Sequence, residues 1–171
     1  MLTPVKLKPK NKPRRGEREK MGNSLAKIDI HLIFHIKSTG VKICDCDLDE
    51  MFAYIGGIIK GVKGLPIEIG GRSDHLHILT SLPKTMSVSE FVRVLKSNSS
   101  KWIKTKNIRY NTFEWQEGYG AFSVSPSLLD KTINYIRNQE EHHKKRNAKD
   151  EYMMFLDAYK VEYDERYLID D

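Results

Sequence analysis

Between residues 27 and 37 every second residue is apolar: Ile28, Ile30, Leu32, Phe34 and Ile36. Strand side chains alternate between faces, so this pattern predicts a half-buried strand. Its other face carries Asp29, His31, Ile33, His35 and Lys37. Histidines on such a face more often pack at a surface than bind a ligand, so His31 and His35 receive no role here. The period then changes. Leu48, Met51, Phe52, Ile55, Ile58, Ile59 and Val62 have helical spacing, with Asp47 or Asp49 as the cap. Residues 66–70 read as a strand, 71–74 as a turn and 75–82 as its antiparallel partner. Ser87 and Glu90 form a capping box for a helix over residues 87–105. Residues 113–124 are aromatic and glycine-bearing, which suggests a strand or bulged loop. Ser125-Pro126 opens a helix over 126–147, and residues 151–168 read as a short helix plus tail. The order is strand, helix, strand, strand, helix, strand, helix. It predicts an α+β fold: a ferredoxin-like, split βαβ sandwich with a mostly antiparallel sheet and a C-terminal helix.

With 171 residues, one domain is expected, filling residues 23–171 behind a basic, disordered tail over 1–22. Residues 1–20 hold eight Lys or Arg and two Glu, which accounts for the whole net charge of +6. The remainder balances at 21 basic against 21 acidic residues. A tail of this kind can grip phosphate without sequence preference or simply be solvated. Met21 also stands where a shorter chain would begin. No run approaches the about 20 apolar residues needed to span a bilayer, and no apolar segment follows the basic start as in a signal peptide. Cys44 and Cys46 are one residue apart, a spacing that strains a disulfide and makes half a zinc site. Reduced thiols in a cytoplasmic protein are the expectation.

The chemistry concentrates in two motifs. In His75-Leu76-His77 both imidazoles lie on one face of a strand, opposite Leu76 and Ile78. Asp74 precedes them, a carboxylate able to fix an imidazole's tautomer. About sixty residues on comes Tyr135-Ile136-Arg137-Asn138-Gln139. Tyr135, Gln139 and His142 share a helical face roughly 120° from the apolar stripe of Leu129, Ile133 and Ile136. Two imidazoles and an amide oxygen leave positions on a hard cation, Mg²⁺ or Mn²⁺, open for phosphate oxygen and water. A phenol titrates near about 10, so attack by Tyr135 needs a metal, a base or a charged neighbour. His-x-His alone is a weak signal, and a lone flank tyrosine is ordinarily solvated. The combination is what carries weight.

With these residues in hand, the chain resembles the single-tyrosine HUH transposases, including the insertion-sequence and REP-associated tyrosine transposases. The resemblance runs from about residue 24 to 168 and rests on Asp74-His75-Leu76-His77, Trp115-Gln116-Glu117-Gly118-Tyr119 and Tyr135-Ile136-Arg137-Asn138-Gln139. It implies that His75, His77 and Gln139 bind a divalent metal, Mg or Mn. Tyr135 is then the nucleophile, making a 5′-phosphotyrosine on single-stranded DNA with hairpin ends and freeing a 3′-hydroxyl that can later rejoin strands. It also implies a homodimer, with two arrangements open: the Tyr135 helix serves its own site or completes the neighbour's. His142 or His143 stands as an alternative ligand to Gln139, and Asp74 as a supporting carboxylate. Lys96, Lys101, Lys104, Lys106, Arg109 and Arg137 are the candidate DNA contacts, against a plain solvated face. Three other readings remain: a domesticated or inactive relative binding chromosomal repeat hairpins, an RNA-binding ferredoxin-like module, and a zinc hydrolase drawing on Cys44 or Cys46.

Overall fold

The computed structural model describes residues 25–139 and 147–168. The basic tail, His142 and His143 lie outside the described residues. Strand β1 spans Asp29–His35, helix α1 Asp45–Gly61, β2 Leu65–Gly71, β3 His75–Ser81, α2 Val88–Lys106, β4 Gly120–Ser123, α3 Leu129–Arg137 and α4 Ala148–Ala158. The four strands form one antiparallel sheet in the order β2-β3-β1-β4. The predicted ferredoxin-like sandwich is therefore the fold of this chain.

The alternation in β1 splits the sheet into two faces. Ile30, Leu32, Phe34 and Ile36 join Leu76 and Ile78 of β3 in the main core. Helices α1 and α2 cover that face with Met51, Ile55 and Ile59, and with Phe91, Leu95 and Ile103. Phe34 is fully buried, with the Trp115 ring edge-on at 4.9 Å and the Lys96 ammonium 5.3 Å from its centroid. Ser87 caps α2 as its sequence predicts: its Oγ accepts a 3.2 Å hydrogen bond from the Glu90 amide.

Three expectations are corrected. Cys44, not Asp47 or Asp49, occupies the α1 cap position. Asp45 and Asp47 fall in the first turn, where acids complement the helix dipole. Cys44 and Cys46 are bridged rather than reduced. The turn into α1 sets their Cα atoms 5.2 Å apart, within reach of a disulfide despite the short spacing. Finally, the helix expected over 126–147 begins as a short 3₁₀ turn, Pro126–Leu128, and α3 is capped at Asn138; the part expected over 140–146 lies outside the described residues.

The second face carries two smaller clusters. Leu79, Val124 and Ile136 pack with Ile133 and Tyr135 beneath α3. Ile33 and Phe122 pack with Tyr152 and Leu156 of α4. Both sides of the central strands are therefore covered, and every residue of β1 is buried. Truncating Phe34→Ala opens the larger core at its centre. It is expected to cost about 3–5 kcal/mol of stability, read as a lowered urea midpoint with unchanged slope.

Candidate active site

Pairing of β1 with β3 places His35 opposite His75 and Ile33 opposite His77. His31, His35, His75 and His77 consequently share the second face, with ring centroids 5.1 Å apart for His31–His77 and 5.5 Å for His35–His75. The two motif histidines turn away from the main core as their alternation predicts. They do not face solvent, each being 1 % exposed, because α3 and α4 lie over them.

Each motif imidazole is held at its Nδ1. His75 Nδ1 meets Asp74 Oδ1 at 2.7 Å. That hydrogen bond, reinforced by the charges of His75 and Lys42, holds the Asp74 carboxyl well below the usual carboxylate range. His77 Nδ1 meets His31 Nε2 at 2.9 Å. Burial pushes His31 down to about 4, so this ring is neutral at pH 7 and orients His77 without adding charge. With both Nδ1 atoms engaged, Nε2 is the nitrogen through which each ring could hold a metal.

Gln139 follows the α3 cap and is 3 % exposed. Its Oε1 lies 3.5 Å from His75 Nε2, and its Nε2 donates to Glu151 Oε1 at 3.1 Å. Glu151, on α4, is a site residue that the motifs do not contain. One ligand atom from each of His75, His77 and Glu151 lies within 4.8 Å of the others. Burial raises the Glu151 carboxyl to about 7, while the charge of His75 opposes the rise. Its signal in the sequence is a lone acid on the helical face of Tyr152, Phe155 and Leu156. Tyr135 is half-buried, its ring edge-on to His77 at 5.7 Å and to Phe155 at 5.3 Å.

The structure gathers only some of the basic residues. Lys96 and Lys104, with Lys37 and Arg93, line an open groove of about 830 Å³ between α2 and the 114–119 segment. Lys96 is committed within it. Its ammonium donates to the carbonyls of Gln116, Glu117 and Gly118 at 2.7, 3.3 and 2.6 Å, and burial lowers it to about 8. Lys101, Arg109 and Arg137 do not line this groove. Arg109 lies over the Tyr110 ring, and Arg137 pairs with Glu68.

A model of the family described as "Transposase IS200 like" matches residues 24–139. The chain belongs to this family. Two solved structures share the fold. One, described as a putative transposase from Deinococcus radiodurans R1, is 21% identical, with a TM-score of 0.54 over 71% of this chain and 97% of its own. The other, a REP-associated tyrosine transposase bound to a REP hairpin, is 13% identical, with a TM-score of 0.54 over 78% of this chain and 74% of its own. No curated protein sequence matches the chain. This IS200-like transposase thus has its two histidines, glutamine and tyrosine within one compact cluster.

The Asp74–His75 contact gives the first test. Asp74→Ala frees the imidazole to rotate and is expected to lower Mn²⁺ affinity by about 10- to 100-fold, measured by calorimetric titration. Unchanged affinity would remove Asp74 from the site.

Proposed function

We propose that this transposase cuts and rejoins single-stranded DNA at hairpin-flanked ends, with Tyr135 as the nucleophile. The observation that carries the reading is the common approach of Tyr135 and Gln139 to the histidine pair. The Tyr135 ring is 5.7 Å from that of His77, and Gln139 Oε1 is 3.5 Å from His75 Nε2. The REP hairpin held by the structural relative supports a hairpin substrate.

His75, His77, Gln139 and Glu151 would hold a divalent metal, Mg or Mn. The donor set fits: imidazole nitrogens, an amide oxygen and a carboxylate, all buried and converging. When bound, the metal polarises the scissile phosphate and favours departure of the 3′ oxygen. The chain's own residues do the rest. Asp74 and His31 lock the two imidazoles in orientation. Tyr135 Oη forms a bond to phosphorus as the bond to the 3′ oxygen breaks. The phenolic proton is lost and the leaving oxygen gains one. The product is a 5′-phosphotyrosine and a free 3′-hydroxyl, and attack by another 3′-hydroxyl reverses the step without a nucleotide cofactor.

This reading extends to a homodimer that brings two ends together, to a cytoplasmic location, and to a domain over residues 23–171 behind a basic arm. Among the described residues no helix is long and apolar enough to cross a membrane. The RNA-binding alternative needs an open sheet face for stacking bases. Here α1 and α2 cover one face, and α3 and α4 cover the other.

A denaturing gel tests the reading. Labelled hairpin DNA from the gene's own flanks, incubated with protein and Mg²⁺ or Mn²⁺, is expected to yield a covalent protein band with wild type. Tyr135→Phe should give no band while still binding the hairpin, and His77→Ala should lose metal-dependent cleavage. Cutting at the same bond by Tyr135→Phe would remove Tyr135 as nucleophile.

A further inference from the structure

The start of α1 holds the chain's 2 cysteines, Cys44 at the cap and Cys46 in the first turn, and they are bridged. A separation of 2 residues encloses so short a loop that the bridge removes little freedom from the unfolded chain. It is a poor staple for a fold that already has a large core. Cys46 is exposed and Cys44 half-buried, so a dissolved reagent meets the Cys46 sulfur first. In the cytoplasmic setting proposed above, such a bridge is transient or redox-sensing. The pair is also tied to the histidine cluster. Ile43 N donates to the Ser73 carbonyl at 2.8 Å. Lys42 Nζ meets Asp74 Oδ2 at 3.3 Å, while Asp74 Oδ1 holds His75 Nδ1. On the other side, the hydroxyl of the fully buried Tyr110 accepts from the Cys44 amide at 3.0 Å and donates to Asp47 Oδ2 at 2.6 Å. The cap of α1 therefore lies between a fixed phenol and the turn that carries Asp74.

We propose that Cys44 and Cys46 are a thiol–disulfide exchange site for a small-molecule disulfide of the glutathione class, and that its state sets how firmly Asp74 is held against His75. The Cys46 thiolate attacks one sulfur of the small disulfide. An S–S bond forms at Cys46 as the small disulfide's own S–S bond breaks and one thiol departs. The Cys44 thiolate then attacks the Cys46 sulfur, which closes the bridge and releases the second thiol. The cysteine pair loses two electrons to the small disulfide, and the two cysteine protons end on the released thiols. Excess thiol runs both steps backward. With the bridge closed, Cys44 is tied to the first turn of α1, and Lys42 and Ile43 are held against the 71–74 turn. With it open, that segment is held by hydrogen bonds alone and the Lys42–Asp74 pair loosens. The link to Asp74 rests on the reading of His75 as a metal ligand; the exchange site does not.

Two experiments test the halves separately. In the first, full-length protein is equilibrated in a graded series of reduced and oxidised glutathione, quenched with N-ethylmaleimide and weighed. The chain has 2 cysteines, so the mass reports this pair alone: a label on each sulfur when open and none when bridged. A midpoint within the series is expected. A pair that stays open, or stays bridged, at every ratio would overturn the exchange site. In Cys44→Ser the mixed disulfide has no second sulfur to resolve it, so a glutathione adduct should accumulate on Cys46. Absence of that adduct would overturn the order of attack.

In the second, Mn²⁺ is titrated calorimetrically into bridged protein and into protein opened with a phosphine reductant that is then removed. Opening is expected to lower affinity severalfold, short of the about 10- to 100-fold expected on losing Asp74 itself. Cys46→Ser, changed at an exposed position, should match the opened protein with no reductant used. Equal affinity in the two states would overturn the link to Asp74, while the mass series alone decides the exchange site. If Mn²⁺ binds neither state, the metal reading fails, and hydrogen–deuterium exchange across residues 41–44 and 73–75 decides the link: faster exchange in the opened protein supports it, and equal exchange overturns it.

Discussion

The antiparallel ladder between β1 and β3 is the interaction on which the rest depends. Its register sets His35 against His75 and brings His31 within hydrogen-bonding distance of His77. A one-residue slip would send His75 and His77 into the main core and Leu76 and Ile78 to the opposite face. Because β1 and β3 lie between β2 and β4, neither strand has a free edge. The register is held from both sides and by two apolar faces at once.

Covering both faces has an electrostatic consequence. Four imidazoles, an amide and a carboxylate are buried in one cluster. Burial of polar groups is tolerable when they are hydrogen-bonded to one another. The pairs Asp74–His75, His31–His77 and Gln139–Glu151 meet that condition. Burial also keeps His31 neutral and draws Glu151 toward neutrality. The cluster therefore carries less negative charge than its residue types suggest, while Asp74, near the surface beside Lys42, remains firmly ionised.

Much of this was legible in the sequence, for identifiable reasons. The period-2 run at residues 28–36 and the 3.6-period helices are local patterns, and they placed the sheet, both core helices and the face of His75 and His77. The histidine pair with Tyr135 and Gln139 was readable because strand and helix periods each put partners on one side. Glu151 was missed because its link to the histidines is tertiary, 74 residues from His77 with no motif between. His31 was passed over for the same reason: its hydrogen bond to His77 needs the strand register. The break of the expected helix at Asn138 was not legible because helical spacing runs on through a cap that only the backbone reveals. Lys96 looked like a surface charge because nothing local announces the three carbonyls that claim it.

The nine residues of α3 have a consequence of their own. Isolated helices shorter than about 12–15 residues are marginal in water, since one costly nucleus is spread over few hydrogen bonds. This segment is therefore helical because it is docked. Its release from β2 and its unwinding would be a single event, and the Tyr135 side chain would lose its direction at the moment it lost its place. The histidines, on strands at the centre of the sheet, would stay where they are. The site is thus built from one half that folds with the domain and one half whose folding is completed by contact.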